Sequence, residues 1–257
     1  MFNELFDQMK ADKRLRCIQY LVIAGSHSYG TTVENSDVDI RGWYFPPLSN
    51  ILGMPQKTYD SIQYSNHDMV LYTFHKFVHL LAQCNPNVIE QLGVDVECIL
   101  YQSRIAKLLA SNSELFLSKR AFYTFGGYAN TMLKRFEQGS PGWRNNKHTA
   151  DKQWKHLMHL IRLLYMGIDI LDKHQIITHR VKEHDLLMSI RHGEVEVEKI
   201  FDLRTKLEVQ LQEAYDSSTL PDQAQMLQIN DLVTKIAFKY VVSPNTYETN
   251  WDSMKGR

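Results

Sequence analysis

Three cysteines in 257 residues are too few, and too scattered, to carry a fold. Cys17, Cys84 and Cys98 are odd in number and sit among apolar neighbours, which argues against a disulfide framework or a cysteine-based zinc site and points to a reducing compartment. Long apolar runs are missing as well. No stretch approaches the ~20 residues needed to cross a bilayer. The opening Met-Phe-Asn-Glu-Leu-Phe-Asp has acids where a secretory leader needs bases, so a cytoplasmic protein without a membrane partner is expected. Net charge is absent too: 29 Lys and Arg balance 29 Asp and Glu. No overall field draws the chain to nucleic acid, and any such contact must rest on a local patch. There is no internal repeat and no low-complexity tract. Absence of G-x-x-x-x-G-K-[S/T] and of G-x-S-x-G excludes a Walker-type nucleotide loop and a serine nucleophile elbow.

What is present is ordinary globular composition, 44% hydrophobic and 23% charged, in a chain long enough for a sizeable core. Phe2, Leu5, Phe6 and Met9 recur at helical spacing. Strands are predicted over Arg16–Ala24, Asp37–Phe45, Thr58–Tyr64 and from Asp68 to Thr73, and Gly53–Lys57 is a turn. Asn85-Pro86 opens a helix, Asn as cap and Pro at its first position. Beyond about residue 100 the 3.6-residue period takes over. Helices are predicted near 103–111, 119–137, 149–173, 183–191, 195–216 and 221–241. Residues 138–147, with two Gly and a Pro, form a loop, and the tail after Ser243 is expected to be loosely held.

The chemistry concentrates between Val22 and Gly42. A short apolar run breaks at Gly25-Ser26, and Asp37 and Asp39 follow two positions apart, which in a strand places both carboxylates on one face. Two adjacent acids repel unless a divalent metal, an Arg or Lys, or a shared proton lies between them. A small-residue turn with a hydroxyl and backbone N–H groups suits phosphate oxygens. Together these predict a metal-assisted site for a nucleoside triphosphate. Arg41 follows at once, either to neutralise the acids or to contact phosphate.

This pattern, an apolar residue, Gly25-Ser26, about ten residues, then Asp37-Val38-Asp39-Ile40, resembles the signature of the DNA polymerase β-like nucleotidyltransferase superfamily. The Tyr29-Gly-Thr-Thr segment, the stretch from Asp68 to Phe77, Asn85-Pro-Asn-Val-Ile-Glu-Gln-Leu, Lys155-His-Leu-Met-His and Ile190-Arg-His-Gly further resemble its stand-alone bacterial and phage subfamily, which includes a branch associated with RNA repair. The resemblance implies an NTP substrate such as ATP, two Mg²⁺ ions with Mn²⁺ as an alternative, and phosphate binding at Gly25 and Ser26. It also implies metal binding and catalysis by Asp37, Asp39 and a third carboxylate. Asp68, heading a short strand before a helix, is the preferred third acid over Asp60.

The helix over 149–173 shows two faces. Gln153, Leu157, Leu160, Ile161, Leu164 and Ile168 make an inward stripe. Lys152, Lys155, His156, His159 and Arg162 share an arc elsewhere, and Lys152, Lys155 and His156 are assigned to nucleotide binding. His156 and His159 lack a third ligand for zinc. Asn87 and Glu90 are read first as parts of a helix start. Trp143, Arg144, Lys147 and His148 offer stacking with charge, as single-strand sites do.

The predicted fold is α+β, an N-terminal nucleotidyltransferase-type mixed sheet with flanking helices followed by an all-helical C-terminal region. Residues 1–100 are expected to form the catalytic domain and 101–257 a helical domain closing over the cleft. The expected activity transfers an NMP from an NTP to a hydroxyl, with an RNA 3′ end favoured over a protein or small molecule. The competing reading is a non-catalytic nucleotide- or RNA-binding, or protein-interaction, module on a degenerate form of the fold.

Overall fold

The computed structural model describes residues 3–34, 36–53, 61–64, 68–139 and 147–254. In chain order its principal elements are α1 (Asn3–Ala11), β1 (Ile18–Ala24), α2 (Gly25–Tyr29), β2 (Asp39–Tyr44), α3 (Leu48–Leu52), β3 (Ser61–Tyr64), β4 (Met69–Thr73) and α4 (Phe74–Ala82). These are followed by α5 (Pro86–Ile89), β5 (Ile99–Gln102), α6 (Arg104–Ala110), α7 (Arg120–Glu137), α8 (Lys147–Lys173), α9 (His184–His192), α10 (Val197–Ser217) and α11 (Met226–Val242). The strands form one mixed sheet in the order β3-β4-β2-β1-β5. β2 and β4 run parallel, and the other pairs are antiparallel. An N-terminal mixed sheet followed by helices is the α+β architecture expected.

Contacts divide the chain into two compact units. One comprises Met1–Ala82, Val94–Phe116 and Gln225–Arg257, and the other Gln83–Gly93 and Leu117–Ala224. This grouping does not follow a single cut at residue 100, because β5, α6 and α11 return to the sheet-bearing unit.

In that unit β1 lies between β2 and β5 and is almost wholly buried, in keeping with its near-continuous apolar sequence. On one side Leu5, Phe6 and Met9 of α1 pack with Ile18, Leu21, Ile40, Leu71 and Met254. Elsewhere in the unit an aromatic cluster forms: the Trp43 ring centroid lies 5.1 Å from Phe74, and Phe45 stacks on Tyr240 of α11 at 4.2 Å. The tail is firmly tied rather than loose. Thr249 N donates to Arg16 O at 2.9 Å, Ile18 N donates to Thr249 Oγ1 at 2.8 Å, and Gln19 Nε2 donates to Tyr247 O at 2.7 Å. These bonds satisfy groups at the start of β1 that would otherwise be buried without partners.

The second unit is built around α8, which packs against α7, α9 and α10. Gly167 permits the close crossing, since a Cβ there would lie 2.9 Å from Leu211 of α10 and 3.1 Å from Phe125 of α7. Asn85 caps α5 through its side chain, as predicted. α11 begins at Met226, later than the predicted 221, after a bent segment that includes Pro221. None of the three cysteines is in a disulfide, and burial raises each thiol above its ordinary range.

Candidate active site

β1 ends at Ala24, and the chain turns at once into α2. Gly25 makes that turn at φ +65°, a backbone region open to glycine at little cost. A second constraint acts on the same residue. A Cβ on Gly25 would sit 2.0 Å from Asp39 Oδ2 and 2.9 Å from Asp39 Cγ. Register explains the closeness, for Ala24 is paired with Asp39 across the antiparallel β1–β2 ladder. Gly25 therefore matters both for the turn and for leaving the Asp39 carboxylate its place. Ser26 lies in the first turn of α2, its carbonyl accepting from Thr31 N at 2.9 Å. Ser28 Oγ donates to Gly25 O at 3.0 Å, holding the turn from within.

Asp68 arrives from the other side of β2. Ile40 N donates to Asp68 O at 2.8 Å, and Ile40 is paired with Met69 in the parallel β2–β4 ladder. Asp39 and Asp68 thus stand at the same end of adjacent strands. Arg41 lies between them: its Nη2 donates to Asp39 Oδ1 at 3.0 Å and to Asp68 Oδ1 at 2.8 Å. Its Nη1 donates to the carbonyls of Ile40 and Asp68. Of the two roles open to Arg41, charge neutralisation is the one seen, and it joins Asp39 with Asp68 rather than with Asp37. β2 begins at Asp39 rather than at the predicted Asp37, and Asp37 is an exposed residue just ahead of the ladder.

Among the described residues, no three His, Cys, Asp or Glu side chains form a ready-made metal cage. Two carboxylates do meet, at one cation position, and the Arg41 guanidinium holds it. Hard oxygen donors from Asp39 and Asp68 suit a divalent ion such as Mg²⁺ at that position. Two buried polar atoms in the adjoining turn, His27 Nε2 and Thr31 Oγ1, have no hydrogen-bond partner among the described residues, and such atoms commonly signal a missing water, ion or ligand. Neither was a sequence candidate, although His27 lies within the Gly-Ser-His-Ser turn. The Asp60 alternative lies outside the described residues, as do Trp143 and Arg144 and the side chains of Lys147 and His148.

A DNA polymerase β-type family model describes the chain from residue 2 to residue 235: RlaP, the RNA repair pathway DNA polymerase beta family. The chain belongs to that family. It is therefore a polymerase β-like nucleotidyltransferase by family, as the Gly25-Ser26 and Asp37-x-Asp39 pattern led us to expect. Among solved structures it is similar to a nucleotidyltransferase-like protein from Exiguobacterium sibiricum. That match has 11% sequence identity and a TM-score of 0.29, covering 93% of this chain and 79% of the other. No curated protein matches the chain. Among the described residues, no helix is long and apolar enough to cross a membrane.

The remaining sequence candidates, Lys152, Lys155 and His156, belong to the second unit. Lys152 and Lys155 are exposed, whereas His156 is half-buried. Burial lowers the His156 pKa, and the positive charges of Arg135, Lys152 and Lys155 lower it further. The basic face therefore spans two helices, since Arg135 lies on α7, and its histidine favours the neutral form. His159 is held well below its ordinary value by burial, reinforced by Arg162, Lys155, His156 and Arg191.

Arg162 does not share that exposed face. Only 4% of its side chain is accessible, and Nη1 donates to Glu90 Oε2 at 3.2 Å. From Leu160 to Leu164 every residue of α8 is buried, so the helix has no solvent face there for an arginine to occupy. Glu90, whose backbone carbonyl also accepts from Thr178 Oγ1 at 2.7 Å, serves this interior.

Proposed function

We propose that the chain is a divalent-metal-dependent nucleotidyltransferase that moves an NMP from an NTP to a hydroxyl acceptor and releases pyrophosphate. The favoured acceptor is an RNA 3′ end, in keeping with the RNA repair description of the family. The observation that carries this reading is the assembly of Gly25, Asp39 and Asp68 around one cation position. In this reading Asp37, Asp39 and Asp68 would hold two Mg²⁺ ions, or Mn²⁺ in their place. Bound metal supplies charge neutralisation at the α-phosphate and a lower pKa for the acceptor hydroxyl.

The chain's own residues do the positioning. Gly25 lets the backbone approach the triphosphate, and Ser26 offers a hydroxyl and an N–H to its oxygens. Arg41, once released from Asp39 and Asp68, would be a donor to phosphate. Asp68 would accept the proton of the acceptor hydroxyl as its oxygen bonds to the α-phosphorus and the bond to the β-phosphate oxygen breaks. Lys152, Lys155 and His156 would bind phosphate on the helical unit, with His156 acting as a neutral hydrogen-bonding group.

One observation favours the competing non-catalytic module: a guanidinium stands between the two acids while Asp37 lies exposed. Incubation with α-³²P-labelled NTPs, Mg²⁺ and a panel of acceptors (RNAs with free 3′ hydroxyls, proteins and small-molecule hydroxyls) distinguishes the two. The expected result is metal-dependent label transfer, abolished by Asp39→Asn and by Asp68→Asn. Failure of transfer to RNA, protein and small-molecule hydroxyls alike would support the binding module instead.

A further inference from the structure

The sheet-bearing unit contains a cavity of about 820 Å³ at the opposite end of β1 from Gly25. Arg16 and Cys17, which line it, immediately precede β1, whereas Gly25 follows it. Seven residues at about 3.3 Å each separate the two places by roughly 20 Å, so the cavity is not part of the candidate active site. Its volume falls within the range of about 300–1,000 Å³ typical of small-molecule sites.

Charge and shape together define what it suits. Lys10, Lys13, Arg14 and Arg16 line it against Asp12 and Glu248, an excess of two positive charges in a chain whose formal net charge is zero. Arg14 is spent on Asp12, its Nε donating at 2.9 Å, and Arg16 pairs with Glu248 at 2.5 Å. Lys10 and Lys13 remain exposed, with no ion pair among the described residues. Apart from Asn245, the rest of the lining is largely apolar. Leu48 and Trp251 are half-buried at its wall, and the stacked rings of Phe45 and Tyr240 are buried behind them. The stack is rigid, because Tyr240 Oη is fixed by donation to Pro46 O at 2.9 Å. The Cys17 thiol adds no charge, burial keeping it protonated.

We propose that this cavity is a second ligand site, taking a nucleoside monophosphate either free or as the 5′-terminal nucleotide of an RNA strand. A phosphomonoester near neutral pH carries a charge of about −1.5 to −2, which Lys10 and Lys13 would balance. A flat base would lie against the half-buried Trp251, since aromatic faces accept any base by stacking. The proposal stands on this cavity alone and does not depend on the catalytic reading.

Titration of the full chain with AMP, and with one short RNA bearing either a 5′ phosphate or a 5′ hydroxyl, tests it by calorimetry. We expect AMP or the 5′-phosphorylated RNA to bind, with affinity retained in Asp39→Asn. The Lys10→Glu/Lys13→Glu double variant, altered only at exposed positions, should bind at least ten-fold more weakly. Binding of AMP identifies a free nucleotide; binding of the 5′-phosphorylated RNA without AMP identifies the strand terminus. The proposal is overturned if neither probe binds, if the 5′-hydroxyl RNA binds as well as the phosphorylated one, or if the double variant binds unchanged. Loss of binding in Asp39→Asn would also overturn it, by placing the ligand in the candidate active site.

Discussion

Replacing Arg41 with glutamine removes the cation from between Asp39 and Asp68 while keeping a polar side chain of moderate length. Bonds of 3.0 and 2.8 Å to one guanidinium nitrogen put the two carboxylate oxygens roughly 5 Å apart. At an effective dielectric of about 20, two like charges at that separation repel by about 3 kcal/mol. Solvent screens part of this, because the side chain of Asp68 is 57% exposed although those of Arg41 and Asp39 are only 21% and 24%. A net loss of about 2 kcal/mol is therefore expected, a fall in Tm of roughly 4–8 °C for a chain of this size. Divalent metal should reverse the effect. On the proposed metal reading, Mg²⁺ would have to displace the guanidinium in the parent, whereas in Arg41→Gln it would meet two uncompensated acids. The same ~2 kcal/mol then appears as metal binding about 30-fold tighter in the variant. At a Mg²⁺ concentration 100 times Kd the stabilisation is about 2.7 kcal/mol, enough to restore the lost Tm. Thermal melts and calorimetric Mg²⁺ titrations of the parent, Arg41→Gln and Asp39→Asn/Arg41→Gln measure both quantities. Equal Mg²⁺ affinity in parent and Arg41→Gln would refute the idea that arginine and metal compete for one position, as would an undiminished Mg²⁺ response in the double variant.

Gly25→Ala combines a left-handed backbone with a Cβ 2.0 Å from Asp39 Oδ2. A destabilisation of about 2 kcal/mol and a loss of label transfer of about 100-fold are expected, and a variant with parental Tm and rate would contradict the geometry. Glu90→Ala leaves Arg162 buried without its carboxylate, at a cost of about 3–5 kcal/mol; urea denaturation showing less than 1 kcal/mol would return that pair to the surface. Burial lowers the pKa values of His75, His156 and His159. On acidification the unfolded chain gains protons near its ordinary histidine pKa of about 6.5, while the folded chain resists protonation until lower pH. Stability should therefore fall as pH drops from 7.5 through 5.5, and the drop should shrink in His159→Gln; a Tm that rises over this interval would give the wrong sign. Thr249→Val removes the hydroxyl that bonds the start of β1 and should cost about 1–3 kcal/mol in chemical denaturation, whereas a tail without structural weight would leave stability unchanged.

The elements visible in the sequence were those whose signal is local. β1 could be read because it is apolar along its length, and α7 to α10 because their periods run for two or more turns. β5 was missed: Ile99-Leu-Tyr-Gln is four residues long, and only pairing with β1 makes it a strand. The place of α11 was equally hidden, since nothing near Met226–Val242 announces that Tyr240 will stack on Phe45, nearly two hundred residues earlier. The tail shows the same limit. Its Pro, Asn and Thr residues read as turns, which they are, but their anchoring depends on bonds to Arg16, Ile18 and Gln19.

The candidate site was legible to the extent that motif spacing encodes strand register. Gly25 and Asp39 are fourteen residues apart, yet a hairpin with Ala24 opposite Asp39 makes their contact unavoidable, so a pattern of spacing became a statement about distance. The partnership of Arg41 with Asp68 could not be read in this way, because it passes through the parallel β2–β4 pairing and depends on which strand lies next to β2. Arg162 illustrates the converse error. A helical wheel sorts residues by angle and assumes that one side of a helix meets water along its whole length. Arg162 falls at one edge of the basic arc, in the part of α8 that other helices surround, and Glu90 there supplies the counter-charge. The arc therefore loses Arg162 to the interior and gains Arg135 from α7. A charged residue on a central helix is accordingly a test of its neighbours before it is a candidate for a ligand.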